Sequence, residues 1–540
     1  VRSPVKNEMP GFLRRHVLLV IGLALPMVYG LGITLPFPLS FGLTNPRATW
    51  ILADQGSYAV MARQLGVYLL LTLLYVVALR FLTRNEASPL PAPLRQDKHT
   101  SPTHTTPPAR LPSRTMPIIW VSWLFCSTIL LFAAPNGESH DIYDYLFRGR
   151  MMDRYAASPL QVTPDAFPNA PFYRYVAWSR NVDTYGPIWE YTSAATSTGV
   201  RLVLQTIGRF DEDTPSCPRS ITSCQTLAGY VTGYRLLAVL LTAMSGLMIV
   251  SITRSTHPAS APLALAAWLW NPLPLISTAL GAHNDALMLC LILFGLWGWQ
   301  RQKWVFGWLA LALATQVKLT ALLLIPAMGL WLARRIGWPR ALRVSVLSAM
   351  LALGMSWLLY MPLGGWETLP RMLYERQLFV SHSFSQILYF LLYKWLGWDW
   401  SVVWQMMVNW PTWFFLAAAA LLLVRSYRGD NHLYRTCTLL TLLYLFVGSF
   451  WFQPWYFLWV LAPAVLWVDG LFVRRVLPWA CFGALCSNVI FTHLTQMPPA
   501  SEPDAHLYRV GVTIMVVSTI WLPPLIAQFT ASAFPGKERR

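Results

Sequence analysis

The chain has 540 residues, of which 55% are hydrophobic and only 12% charged, with a mean hydropathy of +0.44. That is too apolar for one water-solvated core, so lipid must serve as the solvent. The formal net charge of +18 would suit a nucleic-acid partner, but Lys and Arg are dispersed among short connections and form no single basic surface, which excludes that class.

Apolar runs long enough to span a bilayer recur from near Arg15 to near Thr530. The first follows Arg14 and Arg15 and continues past Pro26 without a small-residue cleavage site, so it reads as a membrane anchor. Trp residues gather near the ends of the runs, where an indole sits half in lipid and half in water. After two spans, the stretch from Arg84 to Arg114 is rich in Pro, Ser, Thr and basic residues and reads as a flexible cytoplasmic linker.

A span from about Met116 to Ala134 then leads into the longest polar region, residues 135 to 226, which holds ten of the 23 acidic residues. The basic connections are Arg84 to Arg114, Arg301 to Lys303, Arg334 to Arg343, Arg425 to Arg435, and Arg474 with Arg475. Their alternation puts them inside, together with both termini, and puts 135 to 226 outside. Within this loop, residues 187 to 207 are only patchily apolar and are expected to form an interfacial or re-entrant helix. Five cysteines (Cys126, Cys290, Cys437, Cys481 and Cys486) fall in or beside apolar runs, whereas Cys217 and Cys224 lie in the polar loop, where a disulfide is one of two outcomes.

Further spans are expected at about 227 to 252, 262 to 280 and 286 to 300. The run from Val305 to Ala333 has basic connections on both sides and Lys318 in its middle. An even number of crossings is needed there, so two short helices bent near Lys318 are expected. Later runs bring the total to about 12 to 14 spans. Residues 1 to 540 therefore form a single all-α, polytopic integral membrane domain of the cell membrane.

Four clusters carry candidate chemistry. If SHDIYDYLFRGRM (139 to 151) is helical, Asp141 and Asp144 share a face with Tyr145 and Arg148, giving a carboxylate that can act as a general base beside an Arg that can hold phosphate; Arg150 is a second candidate cation. A salt-bridged surface helix has the same spacing. His283, Asn284 and Asp285 stand together between two spans, either to bind sugar hydroxyls or phosphate or as a polar break. Lys318 is a cation in an apolar run, costly at depth unless it snorkels or meets an anion. Gln453, Trp455 and Tyr456 form an outer turn whose rings suit either sugar stacking or interfacial anchoring. No spacing demands a metal, although several acids leave a divalent ion possible.

In this order, DIYDYLFRGRM (141 to 151), TYGPIWEYTSA (184 to 194) with Tyr185, HNDALM (283 to 288), VKLTALLLIP (317 to 326) and the turn at 454 to 456 resemble bacterial polyprenyl-phosphate-mannose-dependent α-mannosyltransferases of the GT-C superfamily. The resemblance runs from about Met116 to Pro463. It departs where the family reads Gly-x-Asn-Pro-Tyr and this chain has Ala156, Ala157, Ser158, Pro159 and Leu160. It implies a GT-C-like helical bundle with a catalytic first large loop on the extracytoplasmic face. The implied reaction is inverting: a hexose, mannose by resemblance, passes from a polyprenyl-phosphate donor to a cell-envelope glycan or glycolipid acceptor.

On that reading the base is Asp141. Asp144 would face Arg148 at i+4, which favours its charged form and lowers its basicity. Lys318, helped by Arg148 or Arg150, is expected to bind the lipid phosphate, with His283 and Asp285 orienting the sugar. A transporter or flippase of lipid-linked sugars would share the spans and the intramembrane Lys, but such proteins carry paired repeats around a midplane site, and here acids and aromatics gather on one face. A noncatalytic scaffold would leave Lys318 unexplained.

Overall fold

The computed structural model describes residues 11–44, 57–83, 115–211, 224–377, 380–429, 432–467, 472–495 and 502–533. Among them every regular element is a helix, and the only extended pairings are isolated bridges, Pro38 with Ala133 and Ser381 with Trp451. The Arg84 to Arg114 linker and Cys217 lie outside the described residues; Cys224 is disulfide-bonded, and the five other cysteines are free.

Eight helices among the described residues are long and apolar enough to cross a membrane, and a ninth crossing results if the bent pair Pro258–Leu269 and Pro272–Leu280 is one span. Five further apolar helices, such as Thr115–Leu130 and Asp285–Gln300, are 10–17 residues long. The sequence-based count of about 12 to 14 includes runs of this shorter kind. Many span residues turn apolar side chains outward, among them Leu240, Leu353 and Leu421, as a lipid-facing surface requires.

Breaks in the helices have local causes. At the 43° bend the side chain of Asn271 accepts from Leu273 N at 3.0 Å, and Pro272, which has no N–H to lose, occupies the first helical position. The run around Lys318 divides into Trp304–Thr315 and, after extended backbone at Lys318 (φ −152, ψ 125), Leu319–Leu324 leading into Ile325–Ile336. This is the break expected from the charge alternation. Residues 187 to 206 form one helix, Pro187–Thr206, that is not among the eight.

Three features hold the first large loop against the bundle. Arg235, fully buried, donates to the carbonyls of Leu131 (2.8 Å), Ala133 (2.9 Å) and Leu280 (2.9 Å), so it satisfies carbonyls that the Thr115–Leu130 helix end leaves unpaired. Tyr68 donates to Glu138 Oε1 at 2.7 Å, which ties the start of the loop to the Tyr58–Thr83 helix. Gly149 lets the Asp141–Tyr155 helix lie against Pro187–Thr206, because a Cβ there would come within 2.6 Å of Ser193 Oγ and 2.3 Å of the Tyr234 hydroxyl. The Asp141–Tyr155 helix ends on Ala156 in the left-handed region (φ 50), a position that favours the glycine of the family pattern.

Candidate active site

The Asp141–Tyr155 helix starts at the carboxylate of interest, with Ser139 Oγ accepting from Asp141 N at 3.1 Å. Its first two turns, with Tyr185, Gln453, Trp455 and Tyr456, enclose a polar cavity of about 70 Å³. Asp141, Asp144, Tyr145 and Arg148 all line it, so eight of the residues singled out by sequence come together there. The segments are joined by backbone as well: Gly186 N donates to Val317 O (3.1 Å) and Ile188 N to Gln316 O (3.0 Å). A Cβ on Gly186 would stand 2.3 Å from Gln316 O, so only glycine permits this approach.

The two carboxylates differ in what occupies them. Asp144 accepts from Trp178 N (2.9 Å) and Ala177 N (3.1 Å), one amide on each oxygen. Arg148 is not spent on Asp144 as a helical i+4 pair. It donates to the carbonyls of Trp178 (3.0 Å) and Asn181 (2.9 Å) and faces Asp183 at 3.5 Å. Arg148 is therefore committed to holding the loop. The reason given above for preferring Asp141 is replaced by another: Asp144 is the loop's anchor. Burial pushes the Asp144 carboxyl up to about 7, opposed by nearby Arg148. Burial also raises Asp141, whose side chain stays 12% exposed to the cavity and lies 3.8 Å from His283 Nδ1.

His283 sits behind this wall. Ala282 takes a left-handed conformation (φ 52), and the turn stacks the imidazole on Trp455 at 3.7 Å between ring centres. Burial holds His283 well below the ordinary imidazole range, so it is neutral. Asn284 and Asp285 do not line the cavity. Asp285, fully buried, takes Lys318 Nζ at 2.9 and 3.0 Å and the Trp459 indole at 2.5 Å. Arg150 is fully buried away from the cavity, its guanidinium 4.9 Å from the Phe172 ring centre and 5.2 Å from that of Tyr230.

The premise of the expectation for Lys318 changes. It rested on an uncompensated cation, but Asp285 already supplies the anion, and the rings of Tyr456, Trp459 and Tyr185 surround the ammonium at 4.7, 5.3 and 5.4 Å. Sequence reading missed Arg376, at the end of the Thr368–Gln377 helix. It donates to the Tyr456 hydroxyl at 2.7 Å, and among the described residues no carboxylate pairs with it. Arg376 and Thr184 line both the polar cavity and a larger one of about 500 Å³. The larger cavity also has Lys318 at its edge and is otherwise walled mainly by apolar side chains, including Leu322, Leu323, Phe415, Leu416 and Ala420. Among the described residues no three His, Cys, Asp or Glu side chains gather as a metal site.

Residues 218–334, which carry His283, Asp285 and Lys318, match the family described as alpha-(1->6)-mannopyranosyltransferase, N-terminal domain. The chain is also 28% identical over 203 residues to alpha-(1->6)-mannopyranosyltransferase A of Corynebacterium glutamicum. That match takes in 36% of this chain and spans about a third, 35%, of that protein's length. Both likenesses support the resemblance to bacterial mannosyltransferases of the GT-C type.

Proposed function

We propose that this membrane protein is a glycosyltransferase that moves a mannosyl residue from a polyprenyl-phosphate carrier to a glycan or glycolipid hydroxyl on the outer face of the membrane. The observation that carries this reading is the junction of the two cavities at Arg376: a polar chamber holding a buried carboxylate opens beside an apolar groove. A lipid-phosphate sugar has the same sequence of chemistry along its length. The isoprenoid tail fits the groove, the phosphate meets Arg376 at the seam, and the sugar enters the chamber between Asp141 and the Tyr456 and Trp455 rings.

In the proposed step the acceptor oxygen attacks the anomeric carbon from the face opposite the phosphate, with inversion. Asp141 takes the hydroxyl proton as the new C–O bond forms, and the old bond to phosphate oxygen breaks with its electron pair leaving on the phosphate. The leaving group is already an anion, so a cation and hydrogen-bond donors suffice to receive the growing charge. Arg376 supplies the cation; Lys318, neutralised by Asp285, holds the rings of the chamber in place. His283 is stacked behind Trp455 and fixes the ring against which the sugar lies.

The direct test is transfer by purified protein from a panel of radiolabelled polyprenyl-phosphate sugars to a lipid extract. Mannose transfer from the lipid-linked donor, with none from a nucleotide sugar, is the expected result. Vesicle uptake of the lipid-linked sugar without any transfer would overturn the proposal.

A further inference from the structure

The helices that carry Asp285 and Lys318 toward the chamber end, at their far ends, around another cavity. Asp285–Gln300 reaches it through Trp299 and Gln300, and the Ile325–Ile336 helix through Trp331 and Arg335. The cavity has a volume of about 290 Å³ and is lined also by His257, which follows the Gln225–Thr256 helix, and by His432 of the basic connection Arg425 to Arg435.

Its lining separates into two kinds of surface. Trp299 stacks on Trp331 at 5.7 Å, meets Trp304 edge-on at 5.9 Å, and donates its indole N–H to Trp304 O at 3.0 Å, so the aromatic wall is rigid. The guanidinium of Arg335 lies over the Trp331 ring at 5.9 Å, the other ionisable side chains are His257, His432 and Tyr434, and no Asp or Glu lines the cavity. Gln300 donates to Ile252 O, while its Oε1 is buried without a protein partner. A carbohydrate site needs acceptors for many hydroxyls, usually carboxylates, whereas this lining has no carboxylate and offers the Arg335 cation, two imidazoles, the amides of Gln300 and Gln302 and the hydroxyls of Thr256 and Tyr434. Its chemistry is that of an anion with an apolar neighbour and a hydroxyl to donate.

We propose that this cavity holds the head of an anionic membrane lipid: the phosphate at Arg335, a head-group hydroxyl at Gln300, and the first methylenes against Trp331 and Leu433. The apolar wall distinguishes a lipid from free phosphate, which would gain nothing from it. The site lies at the other end of the helices from the transfer chamber, and its existence does not depend on the transfer reaction. An occupant would brace the helix ends whose opposite ends carry Asp285 and the Lys318 break.

Native mass spectrometry of the full-length protein in detergent, titrated with phosphatidylglycerol, phosphatidylcholine or inorganic phosphate, tests this. Phosphatidylglycerol should bind in preference to phosphatidylcholine. Arg335→Glu should weaken it about tenfold, since one cationic contact to an anionic head is replaced by repulsion. Arg340→Glu, which reverses an exposed charge outside the cavity, should leave binding unchanged. Equal loss in both variants would reduce the site to diffuse surface charge and overturn the proposal. So would equal binding of phosphatidylcholine, or displacement of the lipid by equimolar inorganic phosphate.

Discussion

The chamber around Asp141 and the groove beside it share a wall but are made of different material. The chamber, about 70 Å³, has Asp, Arg, Tyr and Trp on its surface; the groove, about 500 Å³, is almost entirely Leu, Ala, Phe, Pro and Met apart from its rim. Most charges around the chamber are already answered within the protein. Asp144 accepts two amides, Arg148 is fixed by carbonyls and Asp183, and Lys318 is paired with Asp285. Of the remaining charged groups, Asp141 lines the chamber and Arg376 stands where chamber and groove meet. The difference teaches that a charged residue in such a site is informative only once its partners are known.

The strongest way to break the comparison is at Asp141. Asp141→Asn keeps the shape and still accepts a hydrogen bond but cannot take a proton, so turnover should fall by about 10²–10⁴ with donor binding retained. Asp144→Asn should instead lose stability, because its carboxamide presents an NH₂ to one of two amides that need an acceptor. In single-turnover assays a transferring Asp141→Asn protein with a dead, folded Asp144→Asn protein would reverse the assignment. The pH profile follows the same logic. A base works when ionised, and burial raises Asp141, so turnover should climb with pH through an ionisation above the ordinary carboxylate range near 4 and be lost below it.

Lys318 sharpens the contrast by stability. Lys318→Ala would leave Asp285 charged, fully buried and without its cation, which costs about 3–5 kcal/mol. Lys318→Met combined with Asp285→Leu removes both charges and should recover most of that loss in thermal unfolding. If Lys318→Ala instead folds normally and loses only donor affinity, the phosphate belongs to Lys318 and the earlier expectation stands. Arg376→Gln should fold, since its hydrogen-bond partner is the neutral Tyr456 hydroxyl and not a carboxylate, and should weaken donor binding by about thirtyfold, the size of one charge-assisted hydrogen-bond loss of about 2 kcal/mol. Unchanged affinity would leave the seam without a phosphate site.

How much of this could be read beforehand depends on whether the signal was local. Basic connections on both sides of the run from Val305 to Ala333 require an even number of crossings and so a break near Lys318, and the break is there. Asp141 to Arg148 share one helical face, and TYGP carries the glycine needed for close approach to Gln316, so both segments announce a built site. What spacing does not reveal is the partner. An i+4 neighbour suggested Arg148 for Asp144, but the loop from Ala177 to Asp183 competes for both side chains and wins. Lys318 looked unpaired because Asp285 is 33 residues away in sequence. Arg376 had no local mark at all: it stands in a polar stretch, WETLPRMLYERQ (366 to 377), and its importance arises from packing against Tyr456, 80 residues on.

The smallest expected effect separates the groove from the chamber. Ala420 lines the groove well away in sequence from every charged group of the site, and Ala420→Trp would add a large side chain where an isoprenoid tail is proposed to lie. The residue is exposed on the groove side of the Trp410–Arg428 helix, so the substitution should fold without overpacking the core. A filled groove hinders only a ligand that enters it. Transfer from a long-chain polyprenyl-phosphate sugar should therefore fall by about tenfold, chiefly through KM, because the reacting groups are untouched and only tail binding is lost. A short-chain, water-soluble analogue that ends at the first isoprene should be used equally by both proteins. Equal loss for both donors would mean that the Trp disturbs the chamber itself, and no loss for either would place the lipid tail elsewhere on the bundle.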